Sequence, residues 1–365
     1  SSSNNSYFTF TGNNITGTSG VSLPVSSSNN SYFTFTGNNI IALTAIFGVT
    51  LTASSSNNSY FTFTGNNITG TLNYSVSLNV DSSNNINITF DHNNITGGTH
   101  GVSLSYLFAS TSNNTNITFD HNNITGGTYG VHMEAYNSKN SQFIFDHNNI
   151  TGTSGDGVYM RASSNNTNIT FDHNNITGGT RGVYLEASSS NNNIITFDHN
   201  NITGVNYGVR LEADSSNNSY FTFTDNNVTG TSSGGVYLRS PSNNNIITFD
   251  HNNITSTSFY GVHLGVSSSN NISFTDNNIK GGSRSVHLDV SSSNNISFTD
   301  NNIIRGGDHG VRVDASSNNN SISLTGNNIA VESSSAVYLN AKNNTNITFD
   351  HNNITGKTGV SLSVS

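Results

Sequence analysis

Cysteine is absent from these 365 residues, only 8% of them carry charge, and no apolar run reaches the length of a membrane span. The first absence excludes disulfide stapling and thiolate metal sites but leaves the redox compartment open. The second, with 11 Lys and Arg against 20 Asp and Glu, removes the basic patch that phosphate neutralisation requires, so nucleic acid is not an expected partner. The longest apolar patch, Ile40 to Val49, is short and interrupted by Thr44 and Gly48. No signal peptide is visible, and a start at Ser1 rather than Met suggests a processed product or an excerpt.

What fills the chain is Ser, Asn, Thr and Gly. Such composition suits a disordered tail, but here apolar residues punctuate it at fixed phase, which a solvating tail does not need. The organising stretch is Asn116-Ile117-Thr118-Phe119-Asp120-His121-Asn122-Asn123-Ile124-Thr125-Gly126, and versions of it occur fourteen times. The Asn pairs begin at Asn13, Asn38, Asn66, Asn93, Asn122, Asn148, Asn174, Asn200, Asn226, Asn252, Asn277, Asn301, Asn327 and Asn352, 24 to 29 residues apart and most often 26. A fixed period in this range signals stacked structural repeats. The repeat runs end to end, so one β-helix domain over 1–365 is expected.

Each repeat carries three short strand signals with inward apolar and outward polar alternation. They are Ile117-Thr118-Phe119, a residue or two around Ile124, and Val131-His132-Met133. Three strands per turn with Asn, Gly and Ser corners describe an all-β parallel β-helix of about 14 coils, wound right-handed as parallel crossovers are. The first Asn of each pair, such as Asn122, is expected to turn into the corner and hydrogen-bond to its counterparts along the axis. The second, such as Asn123, is expected to face outward. A Gly precedes the third strand's Val in eleven of the fourteen repeats, as at Gly130 and Gly182, where a tight turn with positive φ is expected. Two coils are irregular, at Ile40 to Gly48 and at Ser105 to Asn116; each is either a partner contact or local repacking.

Asn-Asn-Ile-Thr-Gly, then Gly-Val-x-Leu, then Ser-Ser-x-Asn-Asn resembles the repeat of right-handed parallel β-helix proteins of the NosD-like and pectate-lyase-like kind, common in archaeal and bacterial surface proteins. The resemblance covers nearly the whole chain and implies a fold that hosts lyases, hydrolases, epimerases, adhesins and surface-layer proteins. No amphipathic capping helix and no distinct C-terminal domain are recognisable.

Several constellations suggest chemistry. Directly ahead of the Asn pair, Asp-His occurs seven times, from Asp91-His92 to Asp350-His351. His121, His147, His173 and His199 are therefore candidate metal ligands, although a ligand set copied from coil to coil is unlike a catalytic centre. On the third strand's outer face, Tyr159, Tyr184, Arg210 and Tyr237 stand beside Glu134, Arg161, Glu186, Glu212 and Arg239. They would line a sugar groove or form ordinary cross-strand pairs. Ten outward asparagines head glycosylation sequons: Asn14, Asn67, Asn94, Asn123, Asn149, Asn175, Asn201, Asn227, Asn253 and Asn353. Further sequons lie in the Ser-rich corner at Asn4, Asn29, Asn57, Asn113, Asn165, Asn217 and Asn343. A Thr array, Thr9 and Thr11, Thr34 and Thr36, Thr62 and Thr64, Thr222 and Thr224, resembles an ice-binding face but is broken by Asp in many coils. No catalytic residue and no cofactor is assigned.

The reading is a non-enzymatic extracellular structural β-helix building a filament, sheath or surface layer. The alternative is a carbohydrate-binding or carbohydrate-processing β-helix. The expected partners are further copies head to tail, covalent glycans or cell-surface polysaccharide. Written tail to head, Gly359–Ser365 followed by Ser1–Phe10 nearly reproduces Gly20–Phe35, as if the last coil stops where the first begins.

Overall fold

The computed structural model describes residues 5–26, 29–44, 46–54, 57–81, 84–108, 114–215, 218–241, 244–267, 270–291, 294–304, 307–316, 319–342 and 345–364, excepting the side chains of 81, 105–108, 136–138, 189–191 and 215. Contacts divide the chain into two units, Ser1–Ser189 and Ser190–Ser365.

A coil of the first unit shows how the repeat folds. The Phe strand is Asn114–Asp120, the Asn strand Asn123–Gly126, and the Val strand begins at Tyr129. Alternating residues of Asn114–Asp120 are buried, so Ile117 and Phe119 enter the core while Thr118 stays at the surface. β-Branched and aromatic residues suit this half-buried pleat. The Val strand runs into the next coil's Phe strand without a break over Tyr129–Asp146 and Val158–Asp172. Within each unit the short Asn strands pair in parallel in a sheet of their own.

Each strand pairs in parallel with the equivalent strand one coil on, residue on like residue. In the first unit Phe119 pairs with Phe145, Ile124 with Ile150, and Val131 with Val158. In the second unit Phe249 pairs with Phe274, Ile254 with Ile279, and Val262 with Val286. The core is therefore a set of columns. Phe rings of the main column stack at 4.6–5.0 Å, as in Phe90–Phe119, Phe145–Phe171 and Phe35–Phe63. A second inward column, two residues earlier, holds Phe33, Phe61, Ile88, Ile117, Phe143 and Ile169 in the first unit.

The glycine before each Val serves a different purpose from the one expected. Gly130 does not have positive φ, and the backbone there is regular strand. A Cβ on Gly130 would lie 2.5 Å from Ile150 Cγ2 and 2.7 Å from the Gly157 carbonyl oxygen. Gly101 and Gly157 meet the same obstacle, at Ile124 and Ile176. Close approach of the Val strand to the next coil's Ile excludes side chains, and turn geometry has no part in it. Where glycine is missing, the small buried residues Ser75, Ser285 and Ala336 stand instead.

Of the two irregular coils, the first buries Ile40 and Ala42 but leaves Leu43 and Ile46 exposed at the corner. In the second, the strand register shifts between Leu104 and Leu107, and the side chains of Ser105 to Phe108 lie outside the described residues. Among the described residues no helix is long and apolar enough to cross a membrane.

The columns fix the energetic order of neighbouring sites. Phe171 is fully buried and Thr170 is not. Phe171→Ala is expected to cost about 3–5 kcal/mol through the cavity it opens, and Thr170→Ala well under about 1 kcal/mol. Chemical denaturation of the two variants checks this, and equal losses would contradict the inward and outward assignment.

Candidate functional site

The residue ahead of each inner asparagine adopts the left-handed conformation, with φ between 51° and 67°. It is His at 92, 121, 147, 173, 199, 251 and 351, Asp at 225, 276 and 300, and Gly at 12, 37, 65 and 326. These are the residue types that tolerate positive φ: Gly for want of a Cβ, Asp and His through local polar contacts. The histidines of the Asp-His pairs thus occupy an obligatory corner conformation and lie exposed. In the first unit their rings stack at 4.7–4.8 Å from His92 to His121, His147 and His173. Each bonds the aspartate before it, His147 Nδ1 lying 2.6 Å from Asp146 Oδ1. The hydrogen bond that the Asp91 carboxylate accepts raises the pKa of His92. In the second unit His199 lies between Asp198 and Asp225, at 2.8 and 3.6 Å. Among the described residues His121 and His147 gather no further carboxylate, and there the corner has the geometry of a turn device, whereas Asp198, His199 and Asp225 place three candidate ligand atoms within 4.8 Å of one another.

All ten sequon asparagines on the Asn strand are exposed, and they form an outer ladder. Asn123 Nδ2 donates to Asn94 Oδ1 and Asn149 Nδ2 to Asn123 Oδ1, each at 2.9 Å. In the second unit Asn253 donates likewise to Asn227. A glycan on any of them would leave one N–H for this bond but would stand one strand spacing, about 4.8 Å, from the next site. The corner asparagines Asn29, Asn57 and Asn165 are also exposed, whereas Asn4, Asn113, Asn217 and Asn343 lie outside the described residues. The Thr array stacks in register, Thr9 on Thr34 on Thr62, at the surface.

The outer face of the Val strand carries the charged and aromatic groups. In the first unit Tyr159 and Tyr184 meet edge to face at 5.4 Å, yet Tyr184 is only 8% exposed. Arg181 covers its ring at 3.7 Å and also grips the buried Asp156 with two bonds of 2.8 Å. Tyr184 therefore offers little ring to a sugar. Arg161 pairs with Glu186 at 3.1 Å. His100, packed among Tyr74, Tyr129 and His132, is held neutral at pH 7, burial pushing its pKa down to about 4 with help from His132. In the second unit Arg210 is taken up by Glu212 and lies 5.5 Å over the Tyr237 ring.

The densest constellation of this face lies further along the second unit. His263 Nε2 is 3.0 Å from Asp289 Oδ2, and His287 Nε2 is 3.2 Å from Asp289 Oδ1 and 3.3 Å from Asp314 Oδ2. The two imidazoles stack at 4.8 Å, and bonds from both hold the Asp289 carboxyl far below the usual carboxylate range. His287 is buried and Asp289 exposed. A shallow depression beside the cluster is lined by Tyr237, Arg239, Pro241, His263, Gly265 and Asp289. Gly265 opens it: no atom lies within 4 Å of where its Cβ would be. Reading single strands misses this cluster. The available signal was that Val286-His287-Leu288-Asp289 and Val311-Arg312-Val313-Asp314 place polar groups at the same outward positions of successive coils.

The right-handed β-helix family model matches residues 47–221 and 213–365, and the chain belongs to that family. The winding is therefore right-handed, as parallel crossovers favour. No curated protein matches the sequence.

The corner assignment is testable at His121. His121→Gly is expected to stay within about 1 kcal/mol of the parent, since Gly takes positive φ freely. His121→Val is expected to cost at least about 1–2 kcal/mol, the left-handed penalty for a residue with a Cβ. Thermal denaturation separates them, and equal stability of the two would contradict a conformational role.

Proposed function

We propose that this β-helix is a non-catalytic, extracellular structural protein that builds a filament, sheath or surface layer. The observation that carries the reading is the translational sameness of the coils. Asn lies on Asn, Phe on Phe, Ile on Ile and Val on Val, so the edge of one coil is complementary to the edge of another like it. A contact of this kind is head-to-tail and does not close on itself, which builds fibres. Exposed parallel strand edges recruit further strands. The corner chemistry agrees with a material role: Asp-His is distributed along the chain as a turn device, where a catalytic centre is singular. The exposed outer asparagines are accessible to N-glycosylation, with crowding limiting how many neighbours are occupied.

A second reading, carbohydrate binding, rests on the cluster around Asp289. There histidines, carboxylates, Tyr237 and Arg239 converge beside an open depression, unlike the uniform remainder. Sugar sites join aromatic rings to a few fixed polar groups in this way.

Electron microscopy of concentrated purified protein, with intact-mass measurement, tests the first reading. Fibres or sheets with an axial spacing of about 4.8 Å in diffraction are expected, and sugar-sized increments above 38.8 kDa would report glycans. A monodisperse monomer that forms no assembly at any concentration contradicts it. Saturable binding of a polysaccharide, lost on Tyr237→Ala, would favour the second reading.

A further inference from the structure

We propose that His263, His287 and Asp289 form a binding site for a zinc-class divalent cation, with Asp314 beside His287 as a potential fourth ligand. The donor set comes from three successive coils of the second unit. The Val strands bring it together by register: His263 pairs with His287, and Asp289 with Asp314. Both imidazoles turn Nε2 to the same carboxylate. In a tetrahedral zinc site, bonds of about 2.0–2.1 Å imply ligand-to-ligand edges of about 3.3 Å. The nitrogen-to-oxygen separations here are 3.0 and 3.2 Å, to the two oxygens of Asp289, and 3.3 Å from His287 to Asp314, and ligand atoms, one each from His263, His287 and Asp289, lie within 4.8 Å of one another.

The donor chemistry selects the ion. Two imidazole nitrogens with carboxylate oxygen suit zinc and its neighbours, whereas calcium and magnesium take oxygen sets. The carboxylate of Asp289 is exposed, so an ion can reach it, while the buried His287 fixes one ligand in place.

Two guanidinium groups act against the ion. Arg312 Nε bonds Asp314 at 2.6 Å, and Arg284 Nη1 lies 3.4 Å from His287 Nδ1. A metal-bound imidazole usually gives its other nitrogen's proton to an acceptor, and here a donor stands in that place. The site should therefore bind more weakly than a closed structural zinc site, and Asp314 should be the least committed ligand.

Two corner groups within the second unit offer a built-in comparison. Asp198, His199 and Asp225, and likewise Asp250, His251 and Asp276, also place three ligand atoms close together, but each has one imidazole and all its members lie at the surface. The proposal stands apart from the scaffold reading, since a filament subunit and a monomer would bind the ion alike.

Equilibrium dialysis of the full chain against zinc ions, read by elemental analysis, tests it. Saturable uptake of about one ion per chain is expected, unaffected by excess calcium. His263→Gln and Asp289→Asn should each weaken it at least about tenfold, with circular dichroism confirming the fold. The double variant His199→Gln, His251→Gln should bind as the parent does. No saturable uptake, uptake unchanged in both His263→Gln and Asp289→Asn, or uptake lost in the corner double variant would each overturn the proposal.

Discussion

Buried asparagine at the corner is the constraint on which this β-helix depends. Turning the chain between the Phe strand and the Asn strand leaves backbone polar groups inside, where each unpaired one costs about 1–3 kcal/mol. The inner asparagine answers this with one side chain. Asn122 Nδ2 donates to Asn148 Oδ1 at 2.9 Å and to the Phe90 carbonyl of the preceding coil at 2.9 Å. Its own Oδ1 accepts from both Nδ2 and the backbone N–H of Asn93. The pattern runs from Asn13 to Asn174 in the first unit and from Asn200 to Asn352 in the second, with side-chain bonds of 2.9–3.0 Å. An amide alone supplies two donors and two acceptor lone pairs at this reach. Aspartate would bring repulsion between neighbours one strand spacing apart.

The outer asparagine ladder runs the opposite way. There each coil donates back to the one before it, Asn149 to Asn123, while the inner ladder donates forward, Asn122 to Asn148. The two adjacent amide columns, with opposed donor directions, directly follow the αL residue, the outer one on the first residue of the Asn strand. That geometry holds the corner to one backbone path, which explains why its αL position accepts only Gly, Asp and His while other corners vary in length.

Much of this was legible in the residues. Period-two alternation around Phe119 gives the inward face, and the invariant first Asn gives the inner ladder, because both are local patterns repeated in register. The role of Gly130 was not, since the atom it avoids, Ile150 Cγ2, belongs to the following coil. The Asp-His pairs looked chemical because a dipeptide reveals composition and hides φ; only comparison with Gly12 and Asp225 at the same corner position exposes the backbone cause. The cluster at Asp289 is likewise assembled across coils, from residues unremarkable in their own strands. Tyr184 was readable as outward, but Arg181 covering its ring was not.

The ladder's central place is tested most directly by replacing one of its members with an isosteric apolar residue. Asn148→Leu removes the acceptor of Asn122 N and Nδ2 and the donor to the Phe119 carbonyl and Asn174. Urea denaturation of this variant beside exposed Asn149→Leu is the measurement. A loss of at least about 3 kcal/mol is expected at Asn148, from several buried groups left unpaired at about 1–3 kcal/mol each, and under about 1 kcal/mol at Asn149. Equal or negligible losses at both positions would contradict it.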